Sequence, residues 1–153
     1  MFRTMIALLF LALPVAMHAE EPLEVHVTNA QSVRTVRPGA QRVPALTMRF
    51  VAPCDAHVRV ASLTLTHRGL GDVRDIGGVY ILEGKKRLTR SVVVQRTGRT
   101  QWPSRAFVVP ACGERTIQAA LDIAEDADVA GEHVFGVAAA ADIVADAPVR
   151  LAT

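Results

Sequence analysis

The chain has 153 residues, half of them hydrophobic, and sets 17 basic side chains against 15 acidic ones for a formal net charge of +2. A charge that close to neutral gives no general reason to expect nucleic acid or an anionic membrane as partner. Aromatic residues make up only 5% of the chain, which leaves little material for platforms that stack sugars or bases.

The first residues, MFRTMIALLFLALPVAMHAEE, have the layout of a cleavable secretory signal. Arg3 supplies the positive start, Met5 to Val15 form the apolar stretch, Pro14 interrupts it, and the small Ala19 precedes Glu20 and Glu21. The apolar run falls short of the ~20 residues that span a bilayer. No later segment is long and apolar enough either, so no transmembrane segment is expected once the signal is removed. Cleavage after residues 1–19 leaves 20–153, with 16 basic against 15 acidic residues, a length that suits one domain with a core of its own. The expected location is outside the cytoplasm, in a periplasm or at the cell surface.

Past the signal, apolar residues recur with period two, the mark of half-buried strands. LEVHVTN alternates Leu23, Val25 and Val27 against Glu24, His26 and Thr28. After a Pro38–Gly39 turn, VPALTMRFVA places Leu46, Met48 and Phe50 on one face. In HVRVASLTLTHRG, Val58 and Val60 have one parity and Leu63 and Leu65 the other. A regular strand cannot turn all four inward, so either a β-bulge near Ala61–Ser62 resets the phase or both faces are partly covered; the bulge is the preferred reading.

Glycines then bracket RGLGDVRDIGG as a loop with room for a short helical turn. VYILEGKKRLTR reads as a hairpin with its tip at Glu83-Gly84-Lys85. SVVVQRTGRTQW supplies a further strand and a Thr97–Gly98 turn, and RAFVVPAC another short strand. RTIQAALDIA is open to helix on propensity, but its alternation of Ile117, Ala119, Leu121 and Ile123 favours strand. HVFGVAAAADIVAD is expected as a last long strand with Phe135, Val137, Ala139, Ala141 and Ile143 inward, followed by APVRLAT as a short strand or a tail. About eight strands with no convincing amphipathic helix argue for an all-β, antiparallel β-sandwich of Ig-like architecture.

The chain has two cysteines, Cys54 and Cys112. In an oxidising compartment, two lone cysteines far apart in sequence are most simply a disulfide. They do not form C-x-x-C, and no cluster of His or Cys joins them at metal-ligand spacing. Closing a loop of this length adds about 4 kcal/mol on chain-entropy arithmetic. A bridge here would join two strand ends at one end of the sandwich.

The segments VASLTLTHRG, DIGGVYILEGKKRL, RAFVVPACGERTIQAALDIAEDADVAG and FGVAAAADIVA, between Ala61 and Ala145, follow one another in an order that resembles a β-sandwich module of secreted and cell-surface bacterial proteins. Such modules are similar to those of S-layer-like proteins and to sandwiches accessory to sialidase-type catalytic domains. The resemblance implies an Ig-like fold, a location outside the cytoplasm, and a role in adhesion or assembly. It implies no catalytic residues.

Chemistry-bearing patterns are few. His26, His57, His67 and His133 each fall in or beside a different strand, which reads as scattered surface histidines, although zinc ligands can be assembled from separate strands. Asp122, Glu125, Asp126, Asp128 and Glu132 form an acid-rich turn. Carboxylates so clustered suit calcium, but the EF-hand order is absent and a solvated turn is the simpler reading. No G-x-S-x-G surrounds a serine, so no enzyme and no cofactor is expected.

Charge distribution says more. Lys85, Lys86, Arg87, Arg90, Arg96, Arg99 and Arg105 make one stretch strongly basic, whereas Thr116 to Val149 holds no Lys or Arg. If the fold separates these groups, the module is two-faced and suited to head-to-tail contact or to docking on acidic polymers. Trp102, beside the basic stretch, is either an anchor at that surface or a core residue. The expected function is therefore non-catalytic binding, adhesion or assembly at the cell envelope. The partner is a protein (a second copy or another envelope component) or an envelope polysaccharide. The alternative is a small ligand-binding domain, for calcium or a glycan, or an inhibitor-like one.

Overall fold

The computed structural model describes residues 20–29, 36–127 and 132–152, without the side chains of 103–106. The expected signal at 1–19 and Asp128 of the acid-rich turn lie outside the described residues.

Among the described residues, ten strands form two sheets. The larger sheet has six strands in the order β10-β1-β2-β7-β4-β5, from β1 (Leu23–Asn29), β2 (Val43–Val51), β4 (Ile76–Glu83), β5 (Lys86–Arg87), β7 (Glu114–Ile123) and β10 (Val149–Ala152). In the smaller sheet, β3 (Val58–Arg68) is the hub, flanked on one side by β6 (Arg99–Val109) and on the other by β8 (Val134–Gly136) and β9 (Ile143–Ala145). All pairings are antiparallel except β1 with β10, which run parallel.

The alternating residues meet between the sheets. Leu23, Val25, Leu46, Met48 and Phe50 of the larger sheet are fully buried, as are Leu65, Val109 and Phe135 of the smaller one. At roughly 1.5–3 kcal/mol per fully buried large apolar side chain, this shared core is the main source of stability. The pairing register of β3 shifts between Val60 and Ser62 against both β6 and β9, so the bulge lies where the change of parity places it. Val58, Val60, Leu63 and Leu65 are consequently all buried. RTIQAALDIA is strand, with Ile117, Ala119 and Leu121 inward.

Two stretches differ from the sequence reading. The last long strand does not exist: Phe135 and Ile143 are buried in separate short strands, and a 3-10 turn at Ala140–Asp142 stands between them. Ala139 and Ala141 are exposed, because methyl groups alternate without enough surface to hold a strand in register. The turn is fastened by Asp142, whose Oδ2 accepts the backbone N–H groups of Ala138 and Ala139 at 3.1 Å. Ser91 to Gln95 is likewise no full strand and pairs only through a bridge between Val92 and Val79. TQW instead opens β6, which runs on through Pro103, a residue an edge strand tolerates because its missing N–H breaks no inner ladder.

Candidate functional site

The registers define two ends of the sandwich. Val51, where β2 ends, pairs with Glu114, where β7 begins, and β4 runs antiparallel to β7 so that its last residue also falls here. The hairpin tip after Glu83 and the cysteines flanking these strands therefore share one end. Cys54 and Cys112 are bonded there, and both are exposed. Arg115 reinforces the same end, donating from Nε and Nη2 to both carboxylate oxygens of Glu83 at 2.5 and 2.9 Å. These bonds hold the Glu83 carboxyl below its ordinary range and raise the Arg115 guanidinium. Gly84 adopts φ 56°, the left-handed conformation that a tight hairpin asks of its tip.

The basic stretch does not stay together. Lys85, Lys86, Arg87 and Arg90 follow the open edge of the larger sheet, where Leu88 N–H bonds back to Ile81 O and Val92 pairs with Val79. All four are exposed, and none forms an ion pair with a described residue. Arg87 lies over the Tyr80 ring, 3.6 Å from its centroid. Arg96 sits in the turn that carries the chain to the second sheet, at the far end. Arg99 is tied to Asp142 at 2.8 Å. Arg105 falls in β6 with its side chain outside the described residues. Trp102 is no surface anchor: paired with Leu63, it is 5% exposed in the core, and its Nε1 makes no hydrogen bond with a described residue.

The acid-rich stretch lies at the opposite end, and part of it is used internally. Asp122 Oδ1 accepts the Tyr80 hydroxyl at 2.8 Å and the Arg42 N–H at 3.1 Å. Burial first, then this bond to Asp122, pushes the Tyr80 phenol up. Asp142 holds its turn and Arg99, while Asp146 lies at the disulfide end, where it accepts the Arg59 N–H at 2.7 Å. Glu125, Asp126 and Glu132 are exposed at this end, which also carries the exposed Arg37, Arg42, Arg68 and Arg96. Among the described residues no group of three or more His, Cys, Asp or Glu is arranged to hold a metal ion.

Sequence reading missed two features. His67 and His133 are not scattered: His67 Nε2 meets His133 Nδ1 at 3.1 Å, and His133 Nε2 lies 3.8 Å from Asp75 Oδ2. The signal was available, since His67 shares the parity of Leu63 and Leu65 once the bulge resets the phase. It faces inward and packs edge-on to Phe135, with ring centroids 5.3 Å apart. Burial, then the neighbouring His133, lowers its pKa. Gly71 makes room for the pair, because a Cβ there would lie 2.5 Å from the His133 ring.

The second feature is a cavity of about 310 Å³ between the sheets on the flank formed by β5 and β6. Val60, Leu63, Ile81, Trp102, Phe107 and Ile117 line its body, and Lys86, Arg87 and Arg115 stand in its wall. The β3 bulge lines it too, through Ala61 and Ser62. No sequence signal marks it, because it depends on how far two sheets part where their edges are irregular.

No protein-family model matches the chain, and no curated protein matches it. No helix among the described residues is long and apolar enough to cross a membrane.

Proposed function

We propose that this protein is an exported, non-catalytic binding module that assembles at the cell envelope through oppositely charged ends. One observation carries the reading. Lys85, Lys86, Arg87 and Arg90 line an edge from the disulfide end without an ion pair to a described residue, while Glu125, Asp126 and Glu132 are exposed at the other end. The eight residues of β4 separate the two by roughly 25 Å. Charges so separated exceed the screening length of about 8 Å at physiological salt and form two distinct patches. Complementary patches at opposite ends make a heterologous, head-to-tail contact, which propagates as rings or filaments.

Export is supported by the disulfide, which persists in oxidising compartments, and by the signal-like residues 1–19. The resemblance to envelope β-sandwich modules points the same way. The two-residue, lysine-bearing edge strand β5 also disfavours strand-to-strand aggregation, so the contact proposed is one between side chains.

Solution mass of residues 20–153 at low and at high salt tests the reading. Oligomers at about 0.05 M salt that dissolve by about 1 M are expected, and K85E/K86E/R87E is expected to be monomeric at both. A wild-type monomer at both salts contradicts head-to-tail assembly. The same surface would then be examined against acidic envelope polysaccharides.

A further inference from the structure

We infer that the cavity between the sheets is a binding site for a small amphipathic anion, a carboxylate carried on a hydrocarbon body of medium length. This inference does not depend on the assembly proposed above, although Lys86 and Arg87 belong to both the cavity wall and the basic edge. Ligand pockets begin at about 300 Å³ and are mostly apolar with a few placed polar groups. The cavity, at about 310 Å³, is at that lower bound. At roughly 30 Å³ per water it holds the volume of about ten waters, which suits a short acyl chain better than a sterol or a sugar ring.

The wall chemistry selects the ligand's two halves. Val60, Leu63, Ile81, Phe107, Ile117 and the indole of Trp102 offer an apolar interior from both sheets. Lys86, Arg87 and Arg115 stand in the wall, and Glu83 faces two of them, bonded to Arg115 and opposite Lys86 across the hairpin. Arg115 is held by Glu83 and Arg87 lies against Tyr80, so Lys86, which neighbours Glu83 without an ion pair among the described residues, is the cation placed to meet a ligand's carboxylate. Its exposed ammonium forms no ion pair with a described residue. Burying a hydrocarbon in the cavity contributes about 0.8 kcal/mol per methylene, so most of the affinity comes from the apolar body. The cation at the mouth decides the sign of the head group.

Trp102 is the only tryptophan in the chain and lines the cavity, so its fluorescence reports occupancy directly. Residues 20–153 are titrated, below micelle concentrations, with decanoate, with decyltrimethylammonium and with decanol. Decanoate is expected to give a saturable change in Trp102 emission and a rise in Tm, with the cation of equal chain length at least tenfold weaker. Lys86→Gln, an exposed change that leaves the core intact, is expected to weaken decanoate five- to tenfold without altering the response to decanol. Absence of both a fluorescence change and a Tm shift with decanoate overturns the site. An equal response to the anion and the cation overturns the assignment of its ligand.

Discussion

The two ends of the sandwich are closed by different chemistry. At the basic end a covalent bond between Cys54 and Cys112 and a bidentate ion pair between Arg115 and Glu83 hold the strand termini. At the acidic end the strands are joined by turns, by the backbone bond from Gly71 N–H to Glu132 O, and by the half-buried pair of His67 and His133. The first set contains nothing that titrates near neutral pH. The second contains two imidazoles in contact, of which one is already resisting protonation. A single core thus ends in a covalently fixed terminus and one that carries a histidine pair, and the basic side of the proposed contact is built on the fixed terminus.

Breaking the basic end should have the largest effect. Replacing Cys54 and Cys112 by serine is expected to lower unfolding stability by about 2–5 kcal/mol, read as a shift in the denaturant midpoint at unchanged slope. A loss below about 1 kcal/mol would mean that the Arg115–Glu83 pair and the core hold this end without the bridge.

Overpacking the acidic end comes next. Gly71→Ala drives a methyl group into the His133 ring and is expected to cost about 1–3 kcal/mol. It should also shift the ring resonances of both histidines, whereas the same change at Gly84, where a Cβ meets nothing within 4 Å, should cost less and leave the histidines unmoved. Gly84 retains only the penalty of its left-handed backbone.

Acidification separates the ends without a large structural change. The folded-state pKa of His67 lies below its unfolded value of 6.5, so the unfolded chain binds more protons in the window just below that pH. Stability is therefore complete above pH 6.5 and falls as pH drops toward the folded pKa. His67→Gln should flatten that slope, measured by denaturation between about pH 7 and pH 5. Hydrogen-exchange protection, corrected for the fall of intrinsic exchange with pH, should decrease over the same range around His67 and Gly71 and stay constant around Glu114.

The smallest effect on stability is expected where the effect on assembly is greatest. K85E/K86E should change unfolding free energy by less than about 0.5 kcal/mol, since both side chains are exposed and carry no ion pair with a described residue. Salt-dependent association should nevertheless disappear.

Much of this architecture is legible in the residues. Strands β1, β2 and β7 follow from clean alternation of large side chains, and the β3 bulge from a single change of parity at Ala61–Ser62. The disulfide follows from two lone cysteines far apart in sequence. Where the pattern rests on alanine, as in Ala138 to Ala141, alternation carries too little surface to decide between strand and turn, and a buried Asp142 settles it as a turn. Trp102 shows the opposite difficulty: its basic neighbours suggest a surface, but register with Leu63 buries it. The cavity and the histidine pair depend on contacts between strands distant in sequence, and a one-dimensional pattern carries these only when strand phase is tracked through every bulge.

The proposed contact surface can be read chemically, because Lys85 and Lys86 are the only lysines in the chain and both stand at the hairpin. Amine acylation of residues 20–153 at low and at high salt, with the modified peptides quantified, reports on that surface and on the N-terminus alone. The account predicts that Lys85 and Lys86 are acylated several-fold more slowly at low salt, where the basic end is covered by the acidic end of a neighbour, and that high salt or Asp126→Asn together with Glu125→Gln restores the rate. Equal acylation at both salts would contradict it.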